Sequence, residues 1–389
     1  MEPAWSGREA MTGKEQDHGT MSSSREDGRH GTEMDEEYEG KGIIFPIGDE
    51  FMPNLHQDSS PREENRYGTE IEEDCGVGVM TKKQRVEDEE EQVVGGLKEF
   101  RRFWEESMSP YFGPLTATTA GSEFGPMRYT DSRPPSYGGI PYDALEIFSI
   151  KVTELKGLEW PIRVFGLVAA RDSMDHKRNV LFDRSEENAQ TLTEKDSSLV
   201  LTGPTRAIAL IDPPEFEVEL RVLGSRPSGG KILSAVYFEY TNRNSATTGL
   251  VQTWTETSKR STIEVKCSQL NAPLEATIEL CHSEGSVDFH GRFYAHMEHM
   301  GEEHIVLLDS RDHKVTLKPD GHVMLSRKVV LVQEGAKLVL GVKAWQNGDV
   351  DSAVMDTAVF PARFHGRSNG CFDVGFCKMS ISVAWSVLC

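Results

Sequence analysis

The sequence predicts an all-β protein: an antiparallel β-sandwich built from two related halves, preceded by an acidic disordered arm and one amphipathic helix. Three observations predict it. Apolar and polar residues alternate with the period of half-buried strands from about Leu145 to the last residues. The alternation occurs twice in the same order, over about 145–223 and 274–345. The first third of the 389-residue chain lacks it and carries most of the charge, with 26 Asp or Glu against 11 Lys or Arg in residues 1–100. That is −15 of the total net charge of −21.

Residues 1–92 form the arm. Ser, Gly, Glu and Asp fill Met21 to Gly40, and the charge peaks at Glu87 to Glu91. Such a stretch buries too little apolar surface to offset the entropy of ordering it. Within it, Gly42 to Asn54 is an apolar island that reads either as a docking segment for another protein or as a chance cluster. Lys82 to Arg85 resembles a minimal basic import signal, undercut by the acidic run behind it. Residues 93–110 read as the helix, because Val93, Leu97, Phe100 and Trp104 recur at spacings of four, three and four. It is expected to pack on the chain's own β domain, or alternatively to bind a partner, and to end at Pro110 and Pro114. Residues 111–142, rich in Pro and Gly, read as an extended linker.

The β domain spans 143–389. Phe148, Ile150 and Val152 alternate with polar residues, as do Phe216, Val218, Leu220 and Val222. Pro319-Asp320-Gly321 supplies the turn of a hairpin between Lys314–Leu317 and His322–Leu325. Met379, Ile381, Val383, Trp385 and Val387 share one face of a last strand. In the echo, Leu145-Glu146 answers Leu274-Glu275, a strand led by Gly166 answers one led by Gly291, and Leu181 to Arg184 answers Leu307 to Arg311. Leu199 and Leu201 then answer Val323 and Leu325. Packing the two halves on each other gives one sandwich, with 224–273 as the connector.

Composition also bounds function. The acidity argues against nucleic-acid binding through counterion release. No basic start precedes an apolar core, and no run approaches a membrane span, so a soluble, non-exported protein is expected. The cytoplasm is the expected compartment, with the nucleus as the alternative that Lys82 to Arg85 raises. Six thinly spread cysteines and no Asn-x-Ser/Thr site fit a reducing compartment. Cys371 and Cys377 invite a disulfide, but free thiols are the plainer reading. Cys389 is the final residue and does not fit a prenylation signal.

The densest chemistry-bearing run is His282, His290, His296, His299 and His304, with Cys281, Glu298, Glu302 and Glu303. His296 and His299 could offer two nitrogens to a metal, although residues three apart on a strand point to opposite faces. No His-Glu-x-x-His is present, and a polar loop is the plainer reading. Arg171-Asp172-Ser173-Met174-Asp175 and Asp309-Ser310-Arg311-Asp312 put carboxylates just after strands, where calcium-dependent membrane modules of the C2 type hold their ions. The Arg beside each Asp makes a structural turn more economical. No Gly-x-Ser-x-Gly elbow occurs, Gly224 to Lys231 fails the phosphate-loop spacing, Gly76-x-Gly78 lacks a third glycine, and no carboxylate pair stands out for acid-base work. No catalytic, cofactor-binding or metal residue is therefore assigned.

Gly125 to Thr130, Leu145 to Val152, Trp160-Pro161, Val164 to Asp172, Arg178-Asn179 and Leu201 to Arg206 together resemble a domain-of-unknown-function family expanded in grasses, over roughly 98–389. In some relatives a similar domain accompanies a ribosome-inactivating rRNA N-glycosylase module. The resemblance implies a β-rich plant domain without an assigned activity. No glycosylase-like helix is recognisable in this chain, and Ala189 stands where relatives often have Cys. The chain is thus expected to be a non-catalytic binding or scaffold protein, without cofactor, whose partner is a protein, in a plant stress or defence setting. The alternatives are a metal-dependent enzyme or sensor centred on His282 to His304, and a calcium-dependent lipid-binding module.

Overall fold

Strand pairing in this chain closes twice. The computed structural model describes residues 94–134, 141–224, 230–242, 245–298, 300, 303–311 and 313–389, all within the unit Gly76–Cys389. The acidic arm, with Gly42 to Asn54 and Lys82 to Arg85, lies outside the described residues.

The first sandwich comprises β1 (Ala144–Leu155), β2 (Ile162–Arg171), β3 (Asn179–Arg184), β4 (Gln190–Leu192), β5 (Ile208–Ala209), β6 (Glu215–Val222), β7 (Lys231–Glu239), β8 (Gln252–Thr257) and β9 (Ser261–Leu270). One sheet has the order β5-β1-β9-β8 and the other β3-β2-β6-β7, with β4 added on β2. The second comprises β10 (Leu274–Gly285), β11 (His290–Met297), β12 (Ile305–Asp309), β13 (Val329–Val332), β14 (Lys337–Trp345), β15 (Val354–Pro361), β16 (Gly366–Asp373) and β17 (Cys377–Val387). Its sheets run β13-β10-β17-β16 and β12-β11-β14-β15, the same two orders, and the ladders are antiparallel.

The all-β sandwich architecture and the two related halves are as expected; their assembly is not. Each half completes a two-sheet sandwich around its own core instead of supplying one layer of a shared one. The expected connector at 224–273 supplies β7, β8 and β9 of the first sandwich. One of these strands, β8, escapes a periodicity search for a physical reason. The inward face of β8 reads Gln252, Trp254, Glu256, all half-buried, so its alternation is not apolar against polar.

A bulge corrects one face assignment. The β1–β9 register slips between Ile147 and Ser149, so Ile147 joins Leu145, Ile150 and Val152 in the first core while Phe148 turns into the second. The last strand keeps Met379, Ile381, Val383, Trp385 and Val387 buried, as its period requires. Around Pro319-Asp320-Gly321 the hairpin is reduced to a Leu317–Val323 bridge and flanking turn bonds, with Gly321 at φ +88°.

The helical segment is α1 (Gly95–Phe103), a π-helical turn over Trp104–Met108, and α2 (Ser109–Phe112). Val93 lies outside the described residues. Pro110 does not end the helix. It falls in the first turn of α2, after the π turn, where its missing N–H is not required. The stop is Gly113 at φ +85°, whose N–H donates to Ser109 O at 2.9 Å. Leu97, Phe100 and Trp104 are buried with Ile232 and Ala235 of β7, and Phe100 stacks on Tyr237 at 4.1 Å. The apolar stripe thus packs on the chain's own first sandwich. The described part of the linker is a chain of turns pinned to both sandwiches: Thr119 N donates to Arg178 O, Tyr129 N to Ser386 Oγ, and Gly366 N to Thr130 O.

Two glutamates lock the sandwiches together. Glu146 of β1 is buried, pairs with Arg327 of the second sandwich, and accepts from Leu331 N at 2.6 Å. Glu275 of β10 is buried and accepts from Ala207 N of the first sandwich at 2.8 Å and from Met127 N at 3.1 Å. Leu331 stands opposite Glu275 in its ladder, and Ala207 precedes Ile208, which stands opposite Leu145. Each carboxylate therefore satisfies a backbone N–H beside the other, an exchange that follows the internal repeat. Burial pushes both carboxyls above the usual value, opposed at Glu146 by Arg327. Ala144, Phe148, Ala207 and Ala209 of the first sandwich join the second core around this lock.

Breaking a buried ion pair by removing one partner costs about 3–5 kcal/mol. Arg327→Met is expected to lower unfolding stability by about that amount in urea titration, and adding Glu146→Gln to it is expected to recover part of the loss.

Candidate functional site

The His run does not form one shell. His282 Nε2 lies 3.2 Å from Gly285 O. His290 stacks on Trp345 with ring centroids 5.8 Å apart, and its Nδ1 lies 3.3 Å from Arg311 O. His304 stacks on Tyr294 at 4.5 Å, with the His296 ring 5.2 Å from it. His299 and Glu302 lie outside the described residues. Among the described residues, no three His, Cys, Asp or Glu side chains are grouped to hold a metal. The cysteines among them, Cys267, Cys281, Cys371, Cys377 and Cys389, are free thiols.

The Asp-Arg turns are structural, but their counter-charges come from elsewhere than expected. Asp172 is buried and takes both Arg206 guanidinium nitrogens at 2.6 and 2.7 Å, Ala209 N at 2.8 Å and Met174 N at 3.2 Å. Four donors leave its oxygens no room for calcium. Arg171, its neighbour and the last residue of β2, has other partners. It donates to Leu115 O at 2.6 Å, lies 4.3 Å over the Trp104 ring and 3.6 Å from Glu217. Burial pulls its pKa down to about 10, so it stays charged at neutral pH. In the second sandwich, Asp309 accepts from Arg311 N at 3.0 Å and has Arg292 at 3.9 Å, whereas the Arg311 side chain pairs with Asp196 of the first sandwich at 3.0 Å. Asp312 lies outside the described residues.

That last pair spans a cleft of about 300 Å³ between the two sandwiches. Phe148, Leu199 and Leu201 form apolar walls, and Arg292, Arg311, Arg327, His304, Asp196 and Asp309 supply the charge. Arg184, at the end of β3, stands near Arg311, and burial together with the Arg311 charge depresses its pKa. Its buried Nε has no hydrogen-bond partner. Arg184 and Arg311 close the two segments that the sequence matched as an echo. Arg292, Arg327 and Asp196 were not singled out by sequence. Arg292 shows only as a charge on the outer face of an alternating strand, and its cleft exists only once a second sandwich stands beside it.

The helix is held over the first sandwich by charge as well as by apolar contact. Glu217 is buried and accepts from Arg101 Nη2 at 2.6 Å and from Arg178 Nε and Nη2 at 2.8 Å. Arg101 also reaches Glu219 at 2.6 Å. Burial pushes the Glu217 carboxyl up, but Arg178 and Arg101 outweigh it and hold it below the usual carboxylate value. Glu219 is likewise held down, by Arg101 and Arg221.

The fold and its cleft define a class: a tandem pair of antiparallel β-sandwiches locked through buried carboxylates. A family model described as a domain of unknown function, DUF6598, matches residues 144–383, and the chain belongs to that family. The match starts at β1 and ends within β17, so the family's unit is the pair of sandwiches, without the helix or the arm. No curated protein matches the chain. Among solved structures, human GIVD cytosolic phospholipase A2 is similar over 64% of this chain and 31% of that one, at 9% identity and a TM-score of 0.25. The calcium-bound pair of C2 domains of Extended-Synaptotagmin 2 is similar over 64% and 97%, at 10% identity and a TM-score of 0.24. The chain thus spans about a third of the phospholipase. Likenesses this weak carry no argument about activity. No described helix is long and apolar enough to cross a membrane.

Carboxylates held below their unfolded pKa stabilise the fold above that pKa and lose the effect as pH falls through the folded value. Acidification below about pH 4 is therefore expected to release the helix. Trp104 emission should shift to the red before the sandwiches unfold, and earlier in Arg101→Met.

Proposed function

We propose that the chain is a non-catalytic binding protein that takes an anionic group of a partner protein, a carboxylate or a phosphate, into the cleft between its sandwiches. One observation carries the reading: Arg292 and Arg311 of the second sandwich line this cleft together, opposite the 196–201 segment of the first. Like charges so placed are relieved by an anion between them, through charge-assisted hydrogen bonds. Asp196 and Asp309 now supply part of that counter-charge from within the chain. At about 300 Å³ the cleft is at the small end of ligand pockets. It suits one side chain or terminal group better than a whole cofactor. The overall charge of −21 does not oppose this, because exposed charges beyond about 8 Å are screened at physiological salt. A cytoplasmic place in plant stress or defence joins the proposal on the strength of the sequence resemblance alone.

Calorimetric titration of the full chain with inorganic phosphate and with an acidic peptide tests it. Saturable binding weakened about tenfold or more by Arg311→Gln, the loss of one charged hydrogen bond, is the expected result. Affinity unchanged from the native chain in both Arg292→Gln and Arg311→Gln would place the anion elsewhere.

A further inference from the structure

The two sandwiches differ where the free edges of their sheets face each other. In the second, Phe360 of β15 packs so closely on Gly370 of β16 that a Cβ there would lie 2.8 Å from the ring. In the first, β7 and β8 leave a slot of about 190 Å³. Three rings surround it: Trp254 of β8 stands 5.2 Å from Tyr240 and 6.0 Å from Phe238, inclined at 43° and 73°. Glu239, Glu256, Asn242 and Gln252 supply the polar lining, with neither Lys nor Arg among the described lining residues.

The chemistry of this lining is unusual for the inside of a sandwich edge. Gln252, Trp254 and Glu256 share the half-buried face of β8, between exposed Thr253, Thr255 and Thr257. Aliphatic residues would bury that face at lower cost. Burial pushes the Glu256 carboxyl up, and no basic side chain offsets it among the described lining residues. The Trp254 indole N–H is buried without a partner.

We infer that this slot binds a quaternary or methylated ammonium group. Such a cation presents methyl groups and diffuse positive charge to ring faces, and an aromatic cage with nearby carboxylates recognises both. The volume falls below that of pockets for drug-sized molecules, so one head group fits rather than a large ligand. Glu239 and Glu256 supply the counter-charge. The site belongs to the first sandwich alone, because Phe360 and Gly370 close the matching place in the second. It is separate from the arginine-lined cleft and does not depend on that reading.

The same cation occurs as free choline and as a trimethyl-lysine side chain, and the test has an arm for each. The full chain is titrated calorimetrically with choline, with a trimethyl-lysine peptide and its unmethylated form, and with 3,3-dimethylbutan-1-ol, the neutral isostere of choline. Saturable binding of choline or of the methylated peptide at about millimolar Kd or tighter is expected, at least tenfold tighter than the neutral or unmethylated control. The tighter of the two names the source. Glu256→Gln keeps the shape of the side chain and is expected to weaken binding about fivefold or more with the melting temperature unchanged. Trp254→Phe keeps a ring and is expected to weaken it less than Trp254→Leu. Binding equal to that of the neutral control, unchanged binding in Glu256→Gln, or no saturation by about 10 mM would overturn the proposal.

Discussion

The rest of the structure depends on two buried carboxylates that trade backbone partners. Glu146 caps Leu331 N and Glu275 caps Ala207 N, so each sandwich satisfies an N–H that the other leaves bare. An unpaired buried N–H is costly, and a buried carboxylate costs more unless donors surround it. Brought together, the two deficits cancel, and the sandwiches fit in one arrangement. Arg327 fixes the sign of the lock at Glu146. The apolar part follows the same line, since Phe148 leaves its own core through a bulge and fills the neighbour's.

The cleft is a consequence of that lock. Arg292, Arg311 and Asp196 belong to different strands and loops of two sandwiches, and only the fixed approach of β12 to the 196–201 loop gathers them. The helix answers to a similar logic on the first sandwich. Glu217, surrounded by Arg101, Arg171 and Arg178, is a buried charge with three cationic neighbours. It ties the segment that precedes the sandwiches to β6 and β7. The second sandwich has Gly341 at the matching ladder position, with Tyr294 against it, so its outer face is built for a different surface. The two sandwiches share their ladder orders and differ in their faces and edges.

How much of this was legible without coordinates follows from the range of each interaction. The period of Phe216 to Val222 and of Met379 to Val387 is local and reads correctly. So does the apolar stripe of Leu97, Phe100 and Trp104. The echo reads correctly in order but not in closure. β8 conceals itself because its inward face holds Gln252 and Glu256 around one Trp, and β5 is only two residues long. The His run looked like a site because sequence proximity was its only measure, and in the fold His290 and His304 stack on Trp345 and Tyr294 while His282 turns to Gly285 O. Asp172 was read with the wrong arginine for the same reason: Arg171 is adjacent in sequence, but Arg206 is adjacent in space.

By itself, the sequence determined the strand periods, the helix, the double order of the halves and the absence of a familiar catalytic motif, because each is a property of residues within a few positions of one another. The tertiary structure alone decided that each half closes on itself, that Glu146 and Glu275 face across the join, that Arg311 meets Asp196, and that one edge slot stays open while its counterpart is filled. These depend on which side chains meet across tens or hundreds of residues. No pattern of spacing carries that information, since contact between sheets is set by packing and by the need of each buried polar group for a partner.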